Sequence, residues 1–280
     1  MSPSPSTTQA SADVGRLFRD GNLADAVTAA TAAVRKRPAD IGARILLAEL
    51  LLFAGNIERA DLVLDACAEL DPTAALVAAE FRQLLRGETA RRQLFSDGRV
   101  PEFVGEPTAA HGLSLAAIVA LRNGDAREAG KLAAQAEEAR IHPNGRVGEQ
   151  TFDDVRDIDD LLASCFEVIT TTGKYFWIAP ERVTALELHP MKRPRDLFWR
   201  RATMRIKEGP EGDVYLPLIY PPVAVEAAAL TDALRLGRAT DWQQSAEEGP
   251  TRGLGAVTLL VGDEALTWRE MDKLSFGAAP

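Results

Sequence analysis

The chain has 280 residues, 46% of them hydrophobic, which is enough apolar material for a large core that we expect to be divided between two domains. Its net charge of -9 argues against a nucleic-acid-binding protein, because contacts with phosphate groups require a positive surface. The two cysteines, Cys67 and Cys165, lie far apart within apolar patterns, which favours buried thiols over a disulfide.

The first residues of the chain are rich in serine, proline and threonine. They lack both the basic start and the apolar core of a secretion signal, so we predict a disordered tail over residues 1–13. The longest apolar run, residues 45–54, is interrupted by Glu49 and is much shorter than the roughly 20 residues that cross a bilayer. We therefore expect a cytoplasmic protein without membrane insertion.

Two segments near the start of the chain repeat the same pattern. Gly21 matches Gly55 and Pro38 matches Pro72, both at an offset of 34 positions (55 − 21 and 72 − 38). A period of about 34 residues, with glycine in the turn and proline after the second helix, is typical of tetratricopeptide repeats. We therefore predict stacked helix pairs that form an α-α superhelix, an architecture that binds segments of other proteins.

The third repeat unit is irregular. We predict a helix over residues 76–85 and a turn at Gly87, followed by an insertion over residues 91–107. The repeat pattern then resumes with a helix over residues 113–121, a turn centred on Gly124 and a further helix. The last helical face of such repeats needs a cap, and we expect the C-terminal half to supply it.

The composition changes near residue 150, beyond which all four tryptophans and all three tyrosines lie. We place a boundary there, between a tetratricopeptide-like helical domain over residues 14–149 and an α+β domain over residues 150–280. In the second domain we predict one helix over residues 153–171, because its apolar spacing is helical and acids crowd its first turns. Runs rich in aromatic and β-branched residues predict strands at 175–178, 183–188, 202–206, 214–220 and 257–261. Strands this short indicate a small, curved, mainly antiparallel sheet.

Six motifs follow the repeats in series. They are DDVRDIDD from residue 153, GKYFWI from 173, RDLFW from 195, LPLIY from 216, LGRATDW from 236, and GLG from 253 leading to VGDE from 261. Each motif is weak alone. In this order, behind helical repeats, they resemble the ImpE/SciE-type family of type VI secretion accessory proteins, over roughly residues 14–276.

The resemblance implies a non-enzymatic adaptor that assists sheath disassembly or recycling in a type VI secretion system. Its implied partners are the small sheath subunit, bound through that subunit's N-terminal helix, and the ATPase ClpV. A groove in a helical superhelix can receive the apolar face of such a helix. From helical phase, we expect the repeat groove to present Arg19, Arg44, Glu49, Glu80 and Arg122 as polar contacts.

An enzymatic function has little support in the sequence. The three histidines, His111, His142 and His189, have no second histidine or cysteine at a metal-ligand spacing. The GLG motif lacks the third glycine of a dinucleotide-binding fingerprint, and no phosphate-binding loop is present. We therefore predict no catalytic residue, no cofactor and no metal.

Acidic residues crowd the segment from 153 to 160, and crowded carboxylates can bind a metal ion. On the predicted helix these acids share a face, which is more commonly solvated or paired with cations. We expect the pairing cations to come from a later segment, at Arg195, Arg200 or Arg201.

Two alternatives stay open beside the adaptor. The first is a repeat scaffold that serves an unrelated complex, which the same helical repeats would support. The second is an enzyme with a deep polar pocket in the C-terminal domain. The residues predicted for that pocket are Arg195, Asp196, Tyr220, Arg238, Asp241 and Trp242. If these side chains only hold loops in place, the enzymatic hypothesis fails.

Overall fold

A computed structural model describes residues 13–222, 230–244 and 246–277, apart from the side chain of Ala68. The predicted disordered tail therefore lies outside the described residues, except for Asp13, which is helical. No helix in the described ranges combines the length and the apolar character needed to cross a membrane.

The first half of the chain is helical, as the repeat pattern predicted. Its described helices are α1 (residues 13–19), α2 (Leu23–Lys36), α3 (Ile41–Phe53), α4 (Ile57–Leu70), α5 (Ala75–Ser96), α6 (Ala109–Arg122) and α7 (Ala126–Ala139). The turns predicted at Gly21, Gly55 and Gly124 are confirmed, since each glycine lies between two helices with a positive φ (87°, 81° and 83°). Glycine adopts this conformation without steric cost, which explains why it recurs at the same place in these three helix pairs.

The third repeat differs from its prediction. Helix α5 runs without a break through Gly87, so the turn expected there is wrong. The glycine instead permits close packing, because a Cβ atom at this position would lie only 2.4 Å from Cγ2 of Ile169. The insertion after α5 contains a short strand that joins the C-terminal sheet. The chain therefore leaves the repeats, adds one strand to the sheet and returns to form α6 and α7.

The second half is built mainly from strands. The strand bounds are β1 (Glu102–Phe103, in the insertion), β2 (Gly145–Val147), β3 (Gln150–Phe152), β4 (Val155–Asp157), β5 (Phe166–Thr170), β6 (Tyr175–Ile178), β7 (Val183–Leu188), β8 (Trp199–Ile206), β9 (Glu211–Pro217), β10 (Thr240–Gln244), β11 (Thr251–Gly255), β12 (Thr258–Val261), β13 (Glu264–Thr267) and β14 (Lys273–Phe276). Helix α8 (Asp232–Arg235) and the 3-10 segments Pro180–Arg182 and Pro194–Leu197 connect them.

The main sheet has nine strands in the order β1-β6-β5-β9-β8-β7-β14-β2-β3, and among its described pairs only β1 and β6 run parallel. Two smaller sheets have the orders β13-β12-β4 and β10-β11. The predicted fold class, a tetratricopeptide-like α-α superhelix followed by a mainly antiparallel α+β region, is confirmed. Buried residues of the helices and of the sheets form one continuous core.

Most of the strand predictions are confirmed. The segments 175–178 and 183–188 coincide with β6 and β7, whereas 202–206, 214–220 and 257–261 overlap β8, β9 and β12. Strand β2 begins at Gly145 and pairs with β3 and β14, so the main sheet starts before the predicted boundary at residue 150.

The helix predicted over residues 153–171 is wrong, because this segment forms β4, a run of turns and then β5. Its acids bond to the local backbone. The Asp157 carboxylate accepts the Asp159 N–H (2.9 Å), and the Asp159 carboxylate accepts the Leu161 N–H (3.0 Å). Such bonds compete with a helix, and β5 is buried on both faces, so its apolar run fits a central strand as well as a helix.

Candidate functional site

The first helices of the repeat units, α1, α3 and α5, pack against the C-terminal half of the chain. Aromatic rings cross this contact in a series. Phe18 of α1 lies 5.4 Å from Phe53 of α3, and Phe53 lies 5.4 Å from Phe198 just before β8 (ring centroids). Trp199 of β8 lies 6.1 Å from Phe81 of α5. Tilted and edge-on contacts of this kind bury large apolar areas, so they stabilise the interface between the two halves.

A buried charge network holds α5 to the sheet. Arg91 is 0% exposed, and its guanidinium donates to both carboxylate oxygens of Glu167 on β5 (2.8 and 2.5 Å) and to the Ile219 carbonyl (2.9 Å). Tyr175 donates to the same carboxylate (2.5 Å), and the Trp177 indole donates to the Tyr175 hydroxyl (2.7 Å). Burial, aided by the Glu167 charge, raises the pKa of Tyr175 well above its usual value, so the hydroxyl keeps its proton. The buried charges are thus paired, as a low-dielectric interior requires.

A second buried ion pair joins α3 to the C-terminal half. Arg195, in the 3-10 segment before β8, donates to Glu49 at 2.9 Å. Glu49 is 3% exposed, and burial raises its pKa while the positive charge of Arg195 acts in the opposite direction. The prediction that Glu49 contacts a partner is therefore wrong, because its carboxylate already has a partner within the chain. The face of α3 that we expected to receive a partner helix is covered by the chain itself.

The other predicted groove contacts are more accessible. Arg19, Glu80 and Arg122 are exposed, and Arg44 is half-buried. The side chains of Arg44 and Arg122 donate to backbone carbonyl groups of the repeats (2.6 and 3.2 Å). The role of these four residues in partner binding stays a prediction.

The residues predicted for a polar C-terminal pocket have separate neighbours. Arg195 pairs with α3, and Asp196 accepts two backbone N–H groups of its own loop (2.9 Å each). Arg238 donates to two carbonyl groups at the end of α1 (2.6 and 2.8 Å), and Tyr220 donates to Asp157 (2.5 Å). These side chains hold loops, strands and helices in place, which is the outcome expected for a structural role.

The remaining two predicted pocket residues lie on β10. Asp241 is exposed and accepts the backbone N–H of Trp242 (2.8 Å). Trp242 is 40% exposed, and its ring lies 6.2 Å from that of Tyr220. Opposite Trp242 on β11 is Gly253, where an added Cβ would come within 2.2 Å of the Tyr220 ring. The tryptophan therefore covers a close contact between a glycine and a tyrosine.

The acids of the 153–160 segment have individual partners. Asp154 pairs with Arg140 (2.5 Å), and Asp159 pairs with Arg252 (2.8 Å). Asp160 accepts a backbone N–H at the start of β11 (2.7 Å). The predicted single acidic face therefore does not form, because the segment is not a helix.

The cations expected to pair with these acids also have other partners. Arg195 binds Glu49, Arg201 pairs with Asp213 on the neighbouring strand β9, and Arg200 donates to two backbone carbonyl groups before β14 (2.6 and 2.8 Å). The predicted pairing is wrong because the 3-10 segment before β8 directs Arg195 toward α3, while β8 directs Arg201 toward β9 and Arg200 toward the loop before β14.

Asp157 occupies a strongly perturbed position. It is buried, and burial raises its pKa well above the usual value, with the negative charges of Asp159 and Glu167 adding to the shift. The hydrogen bond from Tyr220 acts in the opposite direction. Burial also raises the pKa of the neighbouring Cys165 thiol well above its usual value, which makes the thiol a poor nucleophile.

One group of residues has the spacing of metal ligands within the described part of the chain. Glu137, His142 and Asp154 each place a ligand atom within 4.8 Å of the others. Arg140 already lies among them, donating to Glu137 (2.9 Å) and to Asp154 (2.5 Å). Burial favours a higher pKa for Asp154, but the bonds from Arg140 and His142 outweigh it and lower the pKa. The guanidinium thus supplies the positive charge that a metal ion would bring.

An apolar groove of about 210 Å³ lies on the main sheet, and the sequence analysis did not identify it. Glu167 of β5 and Trp177 of β6 face the helices, so Val168 and Phe176 face the opposite side of the sheet. The apolar lining of the groove consists of Val104, Val168, Phe176, Ile178, Met204, Ile206, Pro210 and Val214. A signal was present in the unbroken apolar run of β6, because such runs mark strands with two apolar faces.

Comparison with known proteins agrees with this architecture. The model of the ImpE protein family matches residues 149–275, and a tetratricopeptide repeat model matches residues 17–80. The type VI secretion system accessory component TagJ of Pseudomonas aeruginosa is 31% identical over 229 residues, which cover 82% of this chain and 80% of that protein. The crystal structure of protein VPA1032 from Vibrio parahaemolyticus is similar with a TM-score of 0.87 and 28% identity, covering 95% of this chain and 98% of that one. The chain therefore belongs to the ImpE family, which includes the type VI secretion accessory component TagJ.

Proposed function

We propose that this chain is a non-enzymatic, cytoplasmic accessory protein of a type VI secretion system. It binds the small sheath subunit through that subunit's N-terminal helix and contacts the ATPase ClpV, and so assists sheath disassembly or recycling. The observation that carries the binding role is the apolar groove on the main sheet, lined by side chains of four strands. A concave apolar surface of this kind suits the apolar face of an amphipathic helix.

The face of the repeats formed by their first helices, α1, α3 and α5, is a poorer binding site for the N-terminal helix of the sheath subunit. A helix entering between α3 and the 3-10 segment would have to separate Glu49 from Arg195, both of which are buried. Breaking one buried ion pair costs about 3–5 kcal/mol, because it leaves an uncompensated charge in the interior. The groove on the main sheet requires no such change.

Calorimetric titration tests the binding role. The titrant is a synthetic peptide of the N-terminal helix of the small sheath subunit from the same secretion cluster, and a scrambled peptide is the control. We expect saturable binding of the native peptide alone. If neither peptide binds, or if both bind equally, the proposed function is contradicted.

Variants locate the site once binding is measured. We expect Val104→Asp and Val214→Asp to weaken binding by at least about tenfold, because each places a charge against the apolar face of the helix. Leu62→Asp is the matched control, since Leu62 is 69% exposed on α4, remote in sequence from the groove. If only Arg44→Ala and Arg122→Ala weaken binding, the helix binds the repeats instead.

The contact with ClpV is tested separately. We expect purified ClpV to co-elute with this chain in size-exclusion chromatography, and to do so with the sheath peptide present. Independent elution of the two proteins under both conditions would remove the ATPase from the proposed set of partners.

A further inference from the structure

An acidic groove of about 560 Å³ lies where the main sheet meets the three-stranded sheet. It is bounded by β3, which ends the main sheet, and by the turn between β12 and β13. Three carboxylates line it, from Asp153, Asp263 and Glu264. Within residues 13–222, 230–244 and 246–277, these three side chains have no hydrogen-bond or ion-pair partner. The groove thus concentrates unpaired negative charge in a protein that is already negative overall.

Strand β3 also leaves backbone groups unpaired at this groove. In the described part of the chain β3 pairs with β2 alone, and Thr151 lies opposite Arg146. Arg146 also lies opposite Ser275 of β14. The Gly277 N–H donates to the Asn144 carbonyl, so the pair two residues along the same two strands, Ser275 and Arg146, is also a hydrogen-bonded pair. Hydrogen-bonded and non-hydrogen-bonded pairs alternate along antiparallel strands, so the backbone N–H and C=O of Arg146 point toward β14 and not toward β3. Thr151, which lies opposite Arg146, therefore points its own N–H and C=O away from β2. An open pair of this kind is a template for an added strand.

We propose that this groove binds an extended segment of a partner protein that carries lysine or arginine at alternate positions. The segment adds beside β3 through Thr151, and its cations pair with Asp153, Asp263 and Glu264. In an extended chain, alternate side chains lie on one face about 7 Å apart, so several cations of one segment can enter the same acidic groove. The binding does not depend on the proposed adaptor function.

A single metal ion is a poorer occupant. Its ligand atoms must lie close together, and within the described residues the one group with that spacing is Glu137, His142 and Asp154. The groove carboxylates are not part of that group. Dispersed carboxylates beside an open strand edge suit a cationic chain, which offers both separated charges and backbone hydrogen bonds.

The test uses the full-length protein and an octapeptide of alternating valine and lysine, with an octapeptide of alternating valine and glutamate as control. Titration calorimetry at low salt measures affinity, and amide chemical shifts of the isotope-labelled protein locate the contact. We expect the lysine peptide alone to bind, with the largest shifts at Thr151 and its neighbours. Binding of both peptides, or of neither, would overturn the proposal.

Two variants separate a specific site from general attraction to a negative protein. Asp153→Asn/Asp263→Asn/Glu264→Gln should weaken binding at least about tenfold, because it removes all three ion pairs. The control Glu58→Gln/Glu69→Gln/Glu138→Gln removes the same charge from exposed acids on α4 and α7 and should leave affinity within about twofold. Equal weakening by both sets would show that net charge alone attracts the peptide and would refute the site.

Thr151→Pro tests strand addition. Proline removes the outward N–H of residue 151 and leaves the bonds between β3 and β2 intact. Edge strands tolerate proline at positions whose N–H points away from the sheet. We expect an unchanged melting temperature and about three- to tenfold weaker binding. Unaltered affinity would mean that the peptide does not pair with β3, and the proposal would then be wrong.

Discussion

The buried pair between Arg91 and Glu167 offers a sharp test of how the two halves are joined. Replacing Arg91 by methionine keeps a long, flexible, apolar side chain but removes every hydrogen bond of the guanidinium. The Glu167 carboxylate then stays buried with Tyr175 as its remaining donor, and the Ile219 carbonyl loses its partner. The variant therefore leaves a buried negative charge without a counter-charge.

The expected cost follows from this geometry. Removing one partner of a buried ion pair destabilises a protein by about 3–5 kcal/mol, a large share of the roughly 5–15 kcal/mol that stabilises a typical domain. Arg91→Met should lie in that range, because Arg91 is 0% exposed and both its bonds to Glu167 are short (2.8 and 2.5 Å). Adding Glu167→Gln removes the stranded charge and keeps an acceptor for Tyr175. The double variant should therefore recover about 2 kcal/mol of the loss.

Equilibrium unfolding in urea measures these free energies. Tryptophan fluorescence reports on Trp177 and Trp199, which are buried beside the network, and far-ultraviolet circular dichroism reports on the helices. We expect the two signals to change together in the wild-type protein, because the core is continuous across both halves. A fit with a common m-value then gives the free energy of unfolding for each variant.

Two results would refute the reasoning. If Arg91→Met lowers the free energy of unfolding by less than about 1 kcal/mol, water or rearranged groups solvate the Glu167 carboxylate, and its charge is not left unpaired in the interior. A double variant that is less stable than Arg91→Met would mean that the destabilisation comes from lost packing and not from the unpaired carboxylate.

Three further predictions concern stability. Gly87→Ala should lower the free energy of unfolding in urea by about 1–3 kcal/mol, since the added Cβ would press on the sheet. Gly112→Ala, which has open space around it in helix α6, should raise that free energy by up to about 1 kcal/mol. Equal effects of the two substitutions would contradict the packing argument. The raised pKa of Asp157 means that the folded state holds its proton more tightly than the unfolded state, so this group's stabilisation is present below its unfolded pKa near 4 and is lost as pH rises. The free energy of unfolding of Asp157→Asn should therefore rise relative to that of the wild type between pH 5 and pH 7.5. A difference between the two proteins that stays constant with pH would refute the shift. Glu49→Ala should lower the melting temperature by several degrees, and the exposed Glu80→Ala should leave it within about one degree.

The helical repeats were predictable from sequence because their signals are local. Gly21 and Gly55 mark turns that require a positive φ, and the apolar spacing of each helix lies within a few turns of it. Strands β6 and β7 were likewise visible as short runs of aromatic and β-branched residues. Each of these elements is determined by residues that are close together in the chain.

The errors have a common physical origin in contacts between distant residues. The apolar run of β5 suits a helix or a central strand, and only its pairing with β6 and β9 decides between them. Glu49 and Arg195 are 146 positions apart, so no local pattern identifies them as a pair. A signal was nonetheless present, because a glutamate within the apolar run of residues 45–54 must be paired once that run is buried.

The covered repeats also determine how binding experiments must be designed. A fragment that ends after α7 would lose the C-terminal segments that pack on α3 and α5. Glu49 would then lose Arg195, Arg91 would lose Glu167, and Glu88 would lose the bond from Trp199. Peptide binding by such a fragment would report on a surface that the intact chain buries, and such exposed apolar surface binds peptides unspecifically. Point variants in the full-length chain avoid this error, because they change one surface while the interface between the two halves stays intact. A peptide that binds the fragment but not the full-length chain would thus identify the covered face of the repeats, not the site used by the intact protein.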